Sequence, residues 1–151
     1  MILEILLQCT AWMMVTNSRQ EVFRCNVLTS IPRKNVSSDL QPQLSDGGRL
    51  CCLGDEPFSP LCRQDVEDAD WLMSEAFCLY EDRDRFLPYE KHHSTVLDAA
   101  RLAEELGVKN LILYHTEDRT LDTRKRKYTA EAETAFSGCV LVPDDLERIT
   151  L

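Results

Sequence analysis

The chain has 151 residues, 44% of them hydrophobic, and a formal net charge of −9 at pH 7, which is enough apolar material for the core of one domain. The acidic balance argues against a general nucleic-acid-coating protein, because phosphate affinity comes from clustered Lys and Arg. Seven cysteines, an odd number with none in a C-x-x-C pair, read as reduced thiols of a cytoplasmic protein.

Residues 1–15 are apolar, but Glu4 and Gln8 interrupt the run and no basic residue precedes it. It also falls short of the ~20 residues of a spanning helix, so it is read as neither a signal nor a membrane segment. Residues 17–45 lose periodicity and collect Asn, Ser, Gln, Pro32 and Pro42, which predicts irregular or poorly packed structure. Asn35-Val36-Ser37 matches a glycosylation acceptor, a coincidence in a chain without a secretory signal. Residues 1–45 are therefore set apart as an irregular N-terminal segment from an ordered domain at 46–151. Asp46-Gly47-Gly48 is a turn signal, followed by the strand Arg49-Leu50-Cys51-Cys52-Leu53 and then Gly54-Asp55-Glu56-Pro57, which leaves Asp55 at a strand end. Cys51 and Cys52 point to opposite faces of such a strand and cannot serve one metal without a bulge, so core packing is their default role. Residues 64–69 predict a short acidic helical turn. Trp71-Leu72-Met73 predicts a buried strand that ends in Ser74-Glu75-Ala76-Phe77. Residues 81–91 are charged and hold Pro88, as a loop would.

That loop leads to His92 and His93, two of the three histidines in the chain. Ser94 or Thr95 can cap a helix whose Val96, Leu97, Ala99, Ala100, Leu102, Ala103 and Leu106 form one apolar stripe, with Gly107 as its C′ residue. Residues 108–114 then predict a buried strand that His115 closes. A helix running directly into an apolar strand is half of an α/β layer, so His93 and His115 are expected at the rim where strands end. Arg119 and Arg124-Lys125-Arg126-Lys127 concentrate positive charge just beyond, as a local anion patch or a solvated helix face. Residues 128–136 continue a helix, Cys139-Val140-Leu141-Val142 is a strand, Pro143-Asp144-Asp145 a turn and residues 148–151 a final strand. No internal repeat is visible. Asp55, Glu75 and His115 thus lie at three strand ends with His93 at a helix start, and carboxylate with imidazole suits zinc or another divalent ion able to make hydroxide at neutral pH.

Taken together, Gly54-Asp55-Glu56-Pro57, the run Ala69-Asp70-Trp71-Leu72-Met73-Ser74-Glu75-Ala76, His93-Ser94-Thr95 and Leu111-Ile112-Leu113-Tyr114-His115 resemble, in order and spacing, the C-terminal half of a metallo-β-lactamase-fold hydrolase. The resemblance is strongest to the ribonuclease Z-like branch and covers residues 47–151. It implies an α/β fold, half of an αββα sandwich, with a mixed sheet and helices on one face. It also implies that Asp55 bridges and His115 ligates zinc, that His93 acts near the scissile phosphate as proton donor or transition-state stabiliser, and that Glu75 supports His93. The substrate class implied is RNA, a tRNA precursor processed at its 3′ end. Two departures stand out: Ser74 occupies the position of the family's His in His-Glu-Ala-Thr, and the family's His-x-His-x-Asp-His motif is absent.

The expectation is therefore a truncated member with a partial zinc site, weakly and substoichiometrically filled, and little activity as an isolated chain. The opposite reading is a non-catalytic α/β module that folds alone or pairs with a complementary N-terminal half or a second copy, and two metal ligands on an isolated chain favour it. A hydrolase of a small ester or lactone fits the same metal residues but gives less reason for His93-Ser94-Thr95. An apolar sheet face is expected to lie open unless residues 1–15 fold back over it. Asp55, Glu75, His93 and His115 are expected at one sheet edge, with Glu75 and His93 the closest pair.

Overall fold

The computed structural model describes residues 3–6, 14–17, 22–24 and 48–150. Four short apolar runs form a wholly parallel sheet: β4 (Leu50–Cys52), β5 (Trp71–Glu75), β6 (Asn110–Tyr114) and β7 (Cys139–Leu141), in that spatial order. The three middle residues of β6 and all of β4 are buried without alternation, as strands covered on both faces must be. Cys51, Leu72, Leu111 and Leu113 face one cluster, while Leu50, Cys52, Met73 and Ile112 face another. The adjacent cysteines do point to opposite faces.

Two helices cover the first face. The helix α3 (Val96–Glu105) starts where Thr95 and Asp98 form a capping box: the Asp98 N–H donates to Thr95 Oγ1 at 3.3 Å and the Thr95 N–H to Asp98 Oδ2 at 3.0 Å. Val96, Ala99, Ala100 and Ala103 then bury against Leu72, Leu111 and Leu113, their small side chains letting the helix sit close to the sheet. Beside it runs α4 (Leu121–Ala132), which contributes Tyr128 and Ala132. It ends four residues before the predicted 136, because the chain turns there to bury Phe136 and return through Gly138 to β7. A Cβ on Gly138 would lie 2.3 Å from the Lys109 carbonyl oxygen and 2.4 Å from Phe136 Cζ. Gly138→Ala is therefore expected to cost about 1–3 kcal/mol, the usual range for forcing extra atoms into a filled core. Urea unfolding measures it, and an unchanged midpoint would contradict this packing.

Between the sheet strands, the predicted turn at 64–69 is α1 (Arg63–Val66). Residues 81–91, predicted as a loop, fold into α2 (Arg83–Phe86) between two 3-10 turns, Tyr80–Asp82 and Tyr89–Lys91. Buried Phe86 anchors this segment, and Leu87 and His92 leave its helical turns with left-handed φ of 51° and 60°, which is how such short helices stop.

A second sheet is antiparallel: β1 (Leu3–Leu6), β2 (Met14–Asn17), β3 (Val22–Arg24) and β8 (Arg148–Thr150), in the order β3-β2-β1-β8. The expected mixed sheet is thus resolved into two, one parallel and one antiparallel. Residues 22–24 fall where irregular structure was predicted; three-residue strands are too short to show alternation. Pro32, Pro42 and the Asn35 sequon lie outside the described residues. The expected open apolar face is not found among the described residues: Leu50, Cys52, Met73 and Ile112 are at most 3% exposed. Ile149 of β8 packs against them, so the second sheet meets the first on this side. No helix among the described residues is long and apolar enough to cross a membrane.

Candidate functional site

Strand β5 runs two residues beyond the predicted Met73, and Glu75 is its last residue. That places a carboxylate inside the fold, 1% exposed. Such a group needs donors on both oxygens. The His93 Nδ1–H donates to Glu75 Oε2 at 2.5 Å, and the Ser94 N–H donates to Oε1 at 2.7 Å. A carboxylate only accepts, so this contact fixes the proton on Nδ1. Residues 93–95 reach the carboxylate because they lie parallel to 77–78: the Phe77 N–H donates to the Ser94 carbonyl at 2.9 Å and the Val96 N–H to the Cys78 carbonyl at 2.9 Å. The His93 ring stacks on Phe77, centroids 5.0 Å apart and planes 15° apart, and meets the His115 ring at 5.0 Å and 64°.

His115 is the first residue after β6 and has a left-handed φ of 53°, a conformation uncommon for a residue with a Cβ and one that clusters at functional sites. Its Nδ1 is buried and makes no hydrogen bond. Glu75 Oε2 lies 3.7 Å from it and Asp55 Oδ1 4.0 Å from it. The Glu75 carboxylate, in ionic contact at that separation, holds the His115 imidazole above its ordinary range against the opposing effect of burial, and Asp55 adds to the rise. Asp55 itself sits in the turn after β4, which Gly54 makes possible with a φ of 78°, and its side chain is half-exposed.

The arrangement suits a divalent ion. A buried imidazole nitrogen that makes no hydrogen bond faces two carboxylates, and Glu75, His93 and His115 offer ligand atoms within 4.8 Å of one another. Two donors on one zinc at about 2.1 Å each lie no further apart than ~4.2 Å, so the 4.0 Å between His115 Nδ1 and Asp55 Oδ1 is within reach of a shared ion. Glu75 is less free, since both its oxygens already take protein N–H donors. Among the described residues, His115 with Asp55, or His115 with Glu75 and His93, could hold such an ion.

No family model matches the chain. Over 99 residues it is 34% identical to ribonuclease Z of Myxococcus xanthus, a stretch that is 66% of this chain and 31% of that protein. Over 84 residues it is 44% identical to ribonuclease Z of Nocardia farcinica, covering 54% of this chain and 26% of the other. Among solved structures it is similar to the metallo-β-lactamase fold protein YhfI from Bacillus subtilis, with a TM-score of 0.55, 24% identity and 72% of this chain against 42% of that one. Human tRNase Z, short form, gives a TM-score of 0.50 and 24% identity over 69% of this chain and 34% of its own. The fold is the metallo-β-lactamase fold, and the sequence is ribonuclease Z-like. The chain spans about a third of the length of these curated relatives, 31% and 26%.

Within the ribonuclease Z-like part, Asp55, Glu75, His93 and His115 lie at one edge of the parallel sheet, and Glu75 with His93 is the closest pair at 2.5 Å. Ser74, in place of the family's His, donates its hydroxyl to the Glu75 carbonyl at 3.2 Å. In the basic stretch after His115, Lys125, Arg126 and Lys127 of α4 and Arg119 before it are exposed, as a solvated face would be, whereas Arg124 is buried. Arg124 turns inward, donating from Nη1 to Thr116 Oγ1 at 2.8 Å and from Nη2 to Asp144 Oδ1 at 2.8 Å and the Pro143 carbonyl at 3.3 Å. Lys125 bridges Asp144 at 3.0 Å and Glu147 at 2.5 Å. These contacts tie the turn carrying His115 to the segment before β8. Only the periodicity of α4 could have placed Arg124 on the buried side, one turn before Tyr128. The sequence also gave Phe77 no role, although it follows Glu75 by two residues.

Proposed function

We propose that residues 46–151 form the C-terminal part of a zinc-dependent phosphodiesterase of the ribonuclease Z type, acting in the cytoplasm on the 3′ ends of tRNA precursors. The observation that carries this reading is the buried Glu75 carboxylate holding His93 Nδ1 at 2.5 Å beside a His115 Nδ1 that makes no hydrogen bond. Two relatives named ribonuclease Z support the substrate class, and the five free thiols among the described residues accord with a reducing compartment. Bound zinc would supply hydroxide at neutral pH and offset phosphate charge.

The residues of this chain do the rest. Asp55 and His115 would hold the ion at the sheet edge. Glu75 accepts a hydrogen bond from the His93 Nδ1–H and orients the ring, which leaves Nε2 to carry a proton to a departing oxygen. Two ligands among the described residues fall short of the three or four of a zinc site, and water, a complementary N-terminal half or a second copy of the chain would supply the remaining donors. Elemental analysis after dialysis against a mild chelator is expected to find less than one zinc per chain, with 3′ trailer cleavage of precursor tRNA rising on addition of excess zinc. Two tightly retained zinc ions would overturn the ligand assignment, and zinc-dependent hydrolysis of esters or lactones without RNA cleavage would overturn the substrate.

A further inference from the structure

We propose that Phe77 is a positioning residue that fixes the ring plane of His93. One hydrogen bond to Glu75 sets the direction of the Nδ1–H but leaves the imidazole free to rock about that bond, so a second contact on the ring face is needed to hold Nε2 in place. The Phe77 ring provides it at 5.0 Å and 15°, a nearly parallel stack.

Phe77 is itself held from several sides. Its N–H donates to the Ser94 carbonyl at 2.9 Å, and its own carbonyl accepts the Glu117 N–H at 2.8 Å and the Tyr128 hydroxyl at 3.2 Å. Phe86 meets the ring edge-on at 6.4 Å and 90°, and the Lys91 ammonium lies 4.9 Å from its centroid. The same ring belongs to neither hydrophobic cluster and is half-buried. A phenyl group anchored this firmly, yet kept out of the core and laid flat on an imidazole, serves the imidazole. What the restrained ring is for rests on the function proposed above; the restraint itself does not.

Histidine side-chain NMR of the full chain tests it by following exchange of the His93 Nδ1 proton with water. Phe77→Leu keeps apolar bulk but removes the flat face, and is expected to speed that exchange by about five- to tenfold, the scale of one lost aromatic stack. Phe77→Tyr is expected to restore the wild-type rate. A Phe77→Leu protein that folds and exchanges at the wild-type rate would overturn the proposal. If Phe77→Leu does not fold, the wild-type spectrum decides: stacking predicts upfield-shifted His93 carbon-bound ring protons, and ordinary shifts would overturn it. His93→Ala with undiminished RNA cleavage would instead remove the function reading and leave this restraint standing.

Discussion

With the missing zinc donors supplied by a partner, Glu75→Gln is expected to lower RNA cleavage by about 10³–10⁴-fold with the fold intact, the scale seen when the carboxylate orienting a catalytic histidine is made an amide. The substitution keeps the shape of a side chain that is 1% exposed, and its carbonyl can still accept the Ser94 N–H. Its NH2 group, however, faces His93 Nδ1 across 2.5 Å, where two donors cannot both be satisfied. The His93 Nδ1–H then has no acceptor, and the ring loses the contact that fixes its tautomer and orientation. Zinc content is expected to stay at the wild-type level, because Asp55 and His115 are untouched. Single-turnover cleavage with circular dichroism and elemental analysis checks all three, and near-wild-type turnover would show that the Glu75–His93 contact is structural only.

The second large effect separates ligands from proton donor. Asp55→Ala and His115→Ala are each expected to weaken zinc binding by more than the 10–100-fold that loss of a group merely orienting a ligand costs, and to lower turnover with it. His93→Ala is expected to lower turnover by about 10²–10⁴-fold, the usual contribution of a positioned acid or base, without changing zinc affinity. Isothermal titration of the three variants distinguishes them, and a His93→Ala protein that loses zinc as Asp55→Ala does would make His93 a ligand.

Much of this edge was legible in the sequence because its elements are local. Thr95 capping an alanine-rich stripe, and the apolar runs at 71–73 and 110–114, carry their periodicity within one segment. What was hidden depends on distant partners. Glu75 inside β5 is tolerable only because His93 and Ser94 arrive from eighteen and nineteen residues away to donate to it. Arg124 reads as a surface charge until Asp144 and Pro143 are brought to it. The burial of Met73 and Ile112 needs Ile149 from a strand of the other sheet. The strands at 3–6, 14–17 and 22–24 are three or four residues each, too short for a pattern and defined by pairing with one another.

The most direct test is a zinc titration of the chain with nitrogen-15 labelled histidine, followed by long-range proton–nitrogen spectra of the three rings. Zinc is expected to move the His115 Nδ1 resonance, while His93 keeps its Nδ1 proton on Glu75. Loss of that His93 proton on zinc addition, or no change at His115, would contradict an ion held by Asp55 and His115 beside a Glu75-paired histidine.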